Sequence, residues 1–213
     1  MVVTWSGAGA IHELAQEIAD CRICRDCPRP GSASLPHEPH PIAVLSDQAR
    51  VLIASQAPGM RAHKSGVPFD DASGVRLREW LGVDWDTFYN PRNFAILPMG
   101  FCFPGYDAHG SDMAPRRECA PAWRERALSL MPQVQLILTI GSFAQKWHFG
   151  NGAVRSMTET VADWRSILDA SASPKLLPLP HPSWRNSSWL KRNPFFERDL
   201  LPVLQSRIKL LIS

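Results

Sequence analysis

The chain has no apolar run long enough to cross a bilayer, and its first eleven residues lack the basic start and apolar centre of a signal peptide. These absences predict a soluble, cytoplasmic protein with no membrane partner. Nor is there a strong excess of charge of either sign. The formal net charge is +3 over 213 residues and the pI is near 8.7, which permits a phosphate-binding face without requiring one. Cysteine is sparse, at five residues; in a cytosolic chain this argues against a disulfide framework and leaves metal ligation or simple burial. No internal repeat is visible. Apolar mass is what the chain does have: 45% hydrophobic content can bury one sizeable core, and the length suits one domain over residues 1–213.

Ile11, Leu14, Ala15 and Ile18 recur at helical spacing and predict an amphipathic helix over about residues 10–20 that runs into Cys21. Beyond it, Pro28, Pro30, Pro36, Pro39 and Pro41 exclude regular helix and predict an extended wrap. Residues 1–48 therefore read as an N-terminal helix, a cysteine motif and a Pro-rich wrap. Short apolar runs at 50–55, 94–97, 135–140 and 176–179 read as strands. Helices are predicted from Asp71 or Ser73 to Leu81, stopped by Gly82, then over 115–131, and through Phe143 and Trp147. Asn193-Pro194 begins a last helix that Pro202 should break or kink. Strands alternating with helices predict a three-layer α/β/α sandwich around a central, mostly parallel four-stranded sheet.

Two loops carry the chemical signal. Ser55-Gln56-Ala57-Pro58-Gly59 and Pro180-His181-Pro182-Ser183-Trp184-Arg185-Asn186 each follow a predicted strand, at the strand end where open α/β sheets place their ligand sites. Either alone is a turn signature. Together they point to an enzyme.

Read with Gly66-Val67-Pro68-Phe69, these loops resemble the three signature loops of the uracil-DNA glycosylase superfamily, in the same order and at comparable spacing, over about residues 20–205. The chain is most similar to bacterial members with Ala-Pro-Gly in the first loop, relatives of the iron-sulfur enzymes. The resemblance implies a monomer acting on uracil-containing DNA in base excision repair, with base flipping into a pocket. Phe69 would stack on the base, with Ala57, Pro58 and Gly59 around it, and His181 would donate to the departing base oxygen. Trp184 or Arg185, with Ser183 and Asn186, would push into the helix, while Lys191 and Arg192 would hold phosphates.

In the iron-sulfur relatives a Cys-x-x-Cys joins two later cysteines about sixteen residues apart around a [4Fe–4S] cluster. Here Cys21-Arg22-Ile23-Cys24 is followed by Cys102 and Cys119 with comparable spacing. The resemblance thus implies these four as cluster ligands. Cys24 and Cys27 form a second Cys-x-x-Cys that could replace the first pair, and zinc or unliganded thiols remain open alternatives.

Two departures stand out. Family carboxylates that activate water fall at Gln56 and Ala57, leaving that role to Gln56 itself, His63, Asp71 or Asp70. The family Asn that reads the uracil edge falls at Pro98, so Met99, Gly100 or Asn93 is expected to read the base. The departures also raise a second expectation, a uracil-DNA or abasic-site binding protein with little turnover. The zinc base deaminases are excluded, since their His-x-Glu and Pro-Cys-x-x-Cys signature is absent.

Overall fold

The computed structural model describes residues 3–150 and 156–213. Six short strands form one sheet in the order β1-β2-β4-β3-β5-β6, with β1 Val3–Ser6, β2 Ala43–Ser46, β3 Val51–Ala54, β4 Phe94–Ile96, β5 Leu136–Ile140 and β6 Lys175–Leu179. The four strands expected from the sequence are β3, β4, β5 and β6, and they form the parallel block. The expectation of four strands was two short. β2 pairs antiparallel with β4, and β1 pairs parallel with β2, with Ser6 and Ser46 hydroxyls 2.9 Å apart across that pair. β2 lies inside the segment expected to be an irregular wrap. Pro41 ends the wrap, and the strand that follows it is only four residues long, too short to register against the surrounding prolines.

Both faces of the sheet are covered. On β3, Leu52 and Ala54 join an apolar cluster that includes Ile11, Leu14, Ile18 and Trp123, while Val51 and Ile53 join the opposite one, with Trp80, Phe88, Trp164 and Phe196. This period-two alternation buries both sides of one strand under helices, as a parallel sheet requires. The predicted first helix forms over Ala10–Ala19 and buries the four residues that signalled it.

At the C-terminus the α-helical pattern is interrupted next to Pro202, as expected: a π-turn over Phe196–Leu200 precedes the proline, and a regular helix, Leu201–Ile212, continues from it. The proline has no N–H to give to an i−4 carbonyl, and the π-turn is where the hydrogen-bond ladder changes register. No helix among the described residues is long and apolar enough to cross a membrane.

Candidate active site

β3, β5 and β6 run parallel, so the loops after β3 and β6 leave the same edge of the sheet. With β5 between them they stand roughly 10 Å apart. The residue that follows β5 at this gap is Gly141, whose backbone is left-handed at φ 78°; a Cβ there would come within 3.9 Å of the His181 Cβ. Two sequence-distant loops thus share one opening with little side-chain bulk between them.

The His181 loop is held by its neighbours. Gln145, buried, donates to the Leu179 carbonyl at 3.1 Å and fixes the end of β6. Asn186 Nδ2 donates to the His181 carbonyl at 2.7 Å. That amide was expected to meet DNA, but it is spent on shaping the loop. Ser183 caps the short turn Trp184–Asn186, and Arg76 donates to the Ser183 carbonyl at 2.9 Å. Burial pushes the His181 imidazole below its ordinary pKa, with Asp71 pulling it partly back up. The ring is therefore a neutral donor at neutral pH.

Phe69 is the one non-glycine residue among those described with a left-handed backbone, at φ 58°. A bulky side chain there is strained, and such strain survives only where surroundings over-determine it. Tyr89 donates to the Pro68 carbonyl at 2.7 Å, and the following helix, Ala72–Leu81, packs Gly74 so tightly on Phe69 that any Cβ at residue 74 would collide with the Phe69 carbonyl. Phe69 meets Phe88 edge-on at 6.1 Å and stays only partly buried. Asp71 caps the same helix, its Oδ1 accepting from the Gly74 N–H at 2.9 Å.

Other expected residues are placed differently. The Met99 and Gly100 N–H groups donate to the Ser55 and Gln56 carbonyls at 2.8 and 3.0 Å. They brace the first loop, and neither amide is left to read a base edge. Asn93 is a clear correction. It precedes β4, level with the start of β3, so it lies at the opposite sheet edge, about 13 Å away by strand rise, with Nδ2 committed to the Thr87 carbonyl at 3.0 Å. His63 belongs to an aromatic group with His37, His40 and Phe103, its ring 4.4 Å from that of His37; His40 Nδ1 approaches its carbonyl at 2.6 Å. Gln56, Ala57, Pro58 and Gly59 form the loop that follows β3. Trp184 projects with 70% exposure, the Arg185 guanidinium lying 5.9 Å from its ring. Lys191 and Arg192 are exposed on the Ser187–Arg192 helix nearby. Arg76 and Asp112, which no motif singled out, also belong here: Asp112 Oδ2 sits 3.5 Å from where a Gly59 Cβ would stand.

Cys21, Cys24, Cys102 and Cys119 line a single apolar pocket, with Phe101, Arg116 and Trp123. Cys27 is exposed and outside it, so the alternative Cys24/Cys27 pair is not the one brought together. Among the described residues no His, Cys, Asp or Glu group is gathered tightly enough to hold a single metal ion. Two side chains of the lining carry donors without acceptors: Arg116 Nε and Trp123 Nε1 are buried and unpartnered. Arg124, outside the lining, has an unpartnered Nε as well and lies within electrostatic range of Cys119. Unpartnered N–H groups around four thiols fit an anionic, sulfur-rich group, since each orphaned donor otherwise costs free energy. Burial pushes the Cys102 thiol up to about 12 and raises Cys119 as well, shifts that ligation as thiolate would reverse.

A family model for the uracil DNA glycosylase superfamily matches residues 42–205, which include every loop of this opening.

Proposed function

Because the chain belongs to the uracil DNA glycosylase superfamily, we propose that it removes uracil from DNA by hydrolysing the bond between base and deoxyribose, as a step of base excision repair. The observation that carries this reading is the placement of His181, on the loop after β6, at the same sheet edge as the Gln56–Gly59 loop after β3, with only Gly141 of the intervening strand end against it; burial lowers its pKa and so favours the neutral ring. Breaking the glycosidic bond leaves an oxocarbenium-like sugar and a uracil anion. A fixed neutral donor at the base oxygen stabilises charge that exists only as the bond breaks.

The rest of the opening supports extrusion of the base. Reaching a base inside a duplex costs a few kcal/mol, and a stack on Phe69 returns about 1–3 kcal/mol. The exposed Trp184 fills the space the base vacates, and Lys191 and Arg192 hold phosphates, which fix register without reading sequence. Cys21, Cys24, Cys102 and Cys119 are the ligands we assign to a [4Fe–4S] cluster. Bound there, it supplies a cross-link between the N-terminal segment, the loop after β4 and the Cys119–Ser129 helix.

Single-turnover excision from a uracil-containing oligonucleotide tests the reading. His181→Ala should slow excision by roughly 10²–10³ with little change in DNA affinity. Tight binding of uracil-DNA by the wild type without turnover would leave a binding protein instead.

A further inference from the structure

Hydrolysis needs a group to take a proton from water, and the first loop supplies no carboxylate, having Gln56 and Ala57. Of the substitutes named from the sequence, two are already engaged. Asp71 is tied to the Gly74 N–H as a helix cap, and His63 packs among His37, His40 and Phe103.

A carboxylate far along the chain faces the gap. The turn between Gly105 and Met113 is knit by its own bonds: Asp107 Oδ1 accepts from the His109 and Ser111 N–H groups at 2.8 and 2.9 Å. Met113 N–H donates to the Gly105 carbonyl at 2.9 Å, and Tyr106 bridges to Asp112. This fixed turn sets Asp112 Oδ2 3.5 Å from the point where a Gly59 side chain would begin. Since residue 59 is glycine, nothing of its own stands between that carboxylate and the first loop. The charges felt by Asp112 are those of Arg185 and Asp71, and Asp71 is also the charge felt by His181. Asp112 thus lies against the first loop, at the sheet edge that the His181 loop also leaves.

We propose that Asp112 orients and deprotonates the attacking water, an inference that rests on the glycosylase reading above. The C1′–N1 bond breaks and its electron pair leaves with uracil, stabilised by His181. The water oxygen bonds to C1′, and the water proton passes to the Asp112 carboxylate, which returns it to the uracil anion or to solvent. Asp112 keeps contact with solvent, and its partial burial raises its pKa, with Arg185 opposing and Asp71 adding, the direction a general base needs.

Two measurements on wild type, Asp112→Asn, Asp112→Ala and Asp112→Glu test this. The first is single-turnover excision from a uracil-containing duplex. The second is the ratio of affinities for duplexes carrying a cationic pyrrolidine abasic analogue and a neutral tetrahydrofuran one, which reports a carboxylate facing the sugar and not fold integrity. Asn and Ala should slow excision by roughly 10²–10⁴, Glu should recover part of it, and the preference for the cationic analogue should fall severalfold in Asn. Wild-type excision by Asp112→Asn with an unchanged ratio overturns the role of Asp112 while the glycosylase reading stands. A wild type that excises nothing overturns both.

Discussion

Arg76 reaches from the Ala72–Leu81 helix to the His181 loop, its Nη1 donating to the Ser183 carbonyl at 2.9 Å and its Nη2 to Ser187 Oγ at 3.4 Å. The same helix is capped by Asp71 and packs its Gly74 against Phe69. One element therefore sets both the Phe69 ring and the His181 loop, and Arg76 is the clamp between them.

Arg76→Ala should loosen the loop and slow excision about 10–100-fold, on the scale of one lost charge-assisted hydrogen bond. Arg76→Lys should recover only part, because an ammonium cannot reproduce the guanidinium fork. Single-turnover rates, with protease sensitivity of residues 180–192 as a second reading, check it.

Phe69→Gly should separate function from stability. Glycine adopts the φ of 58° found at this residue without strain, so the melting temperature should hold or rise while capture of the flipped base weakens by about 1–3 kcal/mol. Gly74→Ala should do the opposite kind of damage, displacing the Phe69 backbone and lowering stability and excision together.

Acid should destabilise the fold through His148. Burial, aided by the Arg124 charge, lowers its pKa to about 3, and Arg124 Nη2 lies 2.8 Å from its Nε2, which accepts only when neutral. Between the ordinary histidine value near 6.5 and about 3, the unfolded chain takes a proton that the folded one refuses. Stability is therefore retained above that window and lost as pH falls through it, with a slope of up to about 1.4 kcal/mol per pH unit from this group. Denaturant melts across pH, repeated with His148→Gln, should show the slope flatten.

Protein purified without oxygen should be brown, with iron and sulfide present. Cys102→Ser or Cys119→Ser should abolish the colour and lower the melting temperature. Cys27→Ser should do neither, since Cys27 is exposed and outside the pocket. Trp123→Phe, which removes an unpartnered buried N–H, should keep the colour and shift the reduction potential, measured by spectroelectrochemistry.

Much of this was legible in the residues. Buried parallel strands are continuous apolar runs, so β3, β5 and β6 stood out, and the loops after β3 and β6 could be placed at one edge from strand direction alone. β1 and β2 did not stand out, because four residues carry too little periodicity to outweigh neighbouring glycine and proline. Asn93 was misplaced because sequence proximity to β4 does not say which end of the strand a residue flanks. Asp112 went unseen because it reaches the first loop only through a turn whose closure depends on Asp107 side-chain bonds, and the Asp107 to Gly110 stretch reads merely as a polar loop. Asp71 and Asn186 illustrate a different limit: residue type told which groups they could bond, but not that backbone donors and carbonyls would claim them first.

The exposure of Trp184 has an optical consequence. Of eight tryptophans, it is the one most open to water at 70%, with Trp85 next at 47%. Its emission should therefore lie to the red of the enclosed indoles and yield first to a soluble quencher such as iodide. Stacking against nucleobases would darken the same fluorophore and shield it from iodide, so the unlabelled protein carries its own reporter for entry of the loop into DNA, with Trp184→Phe as the silent control.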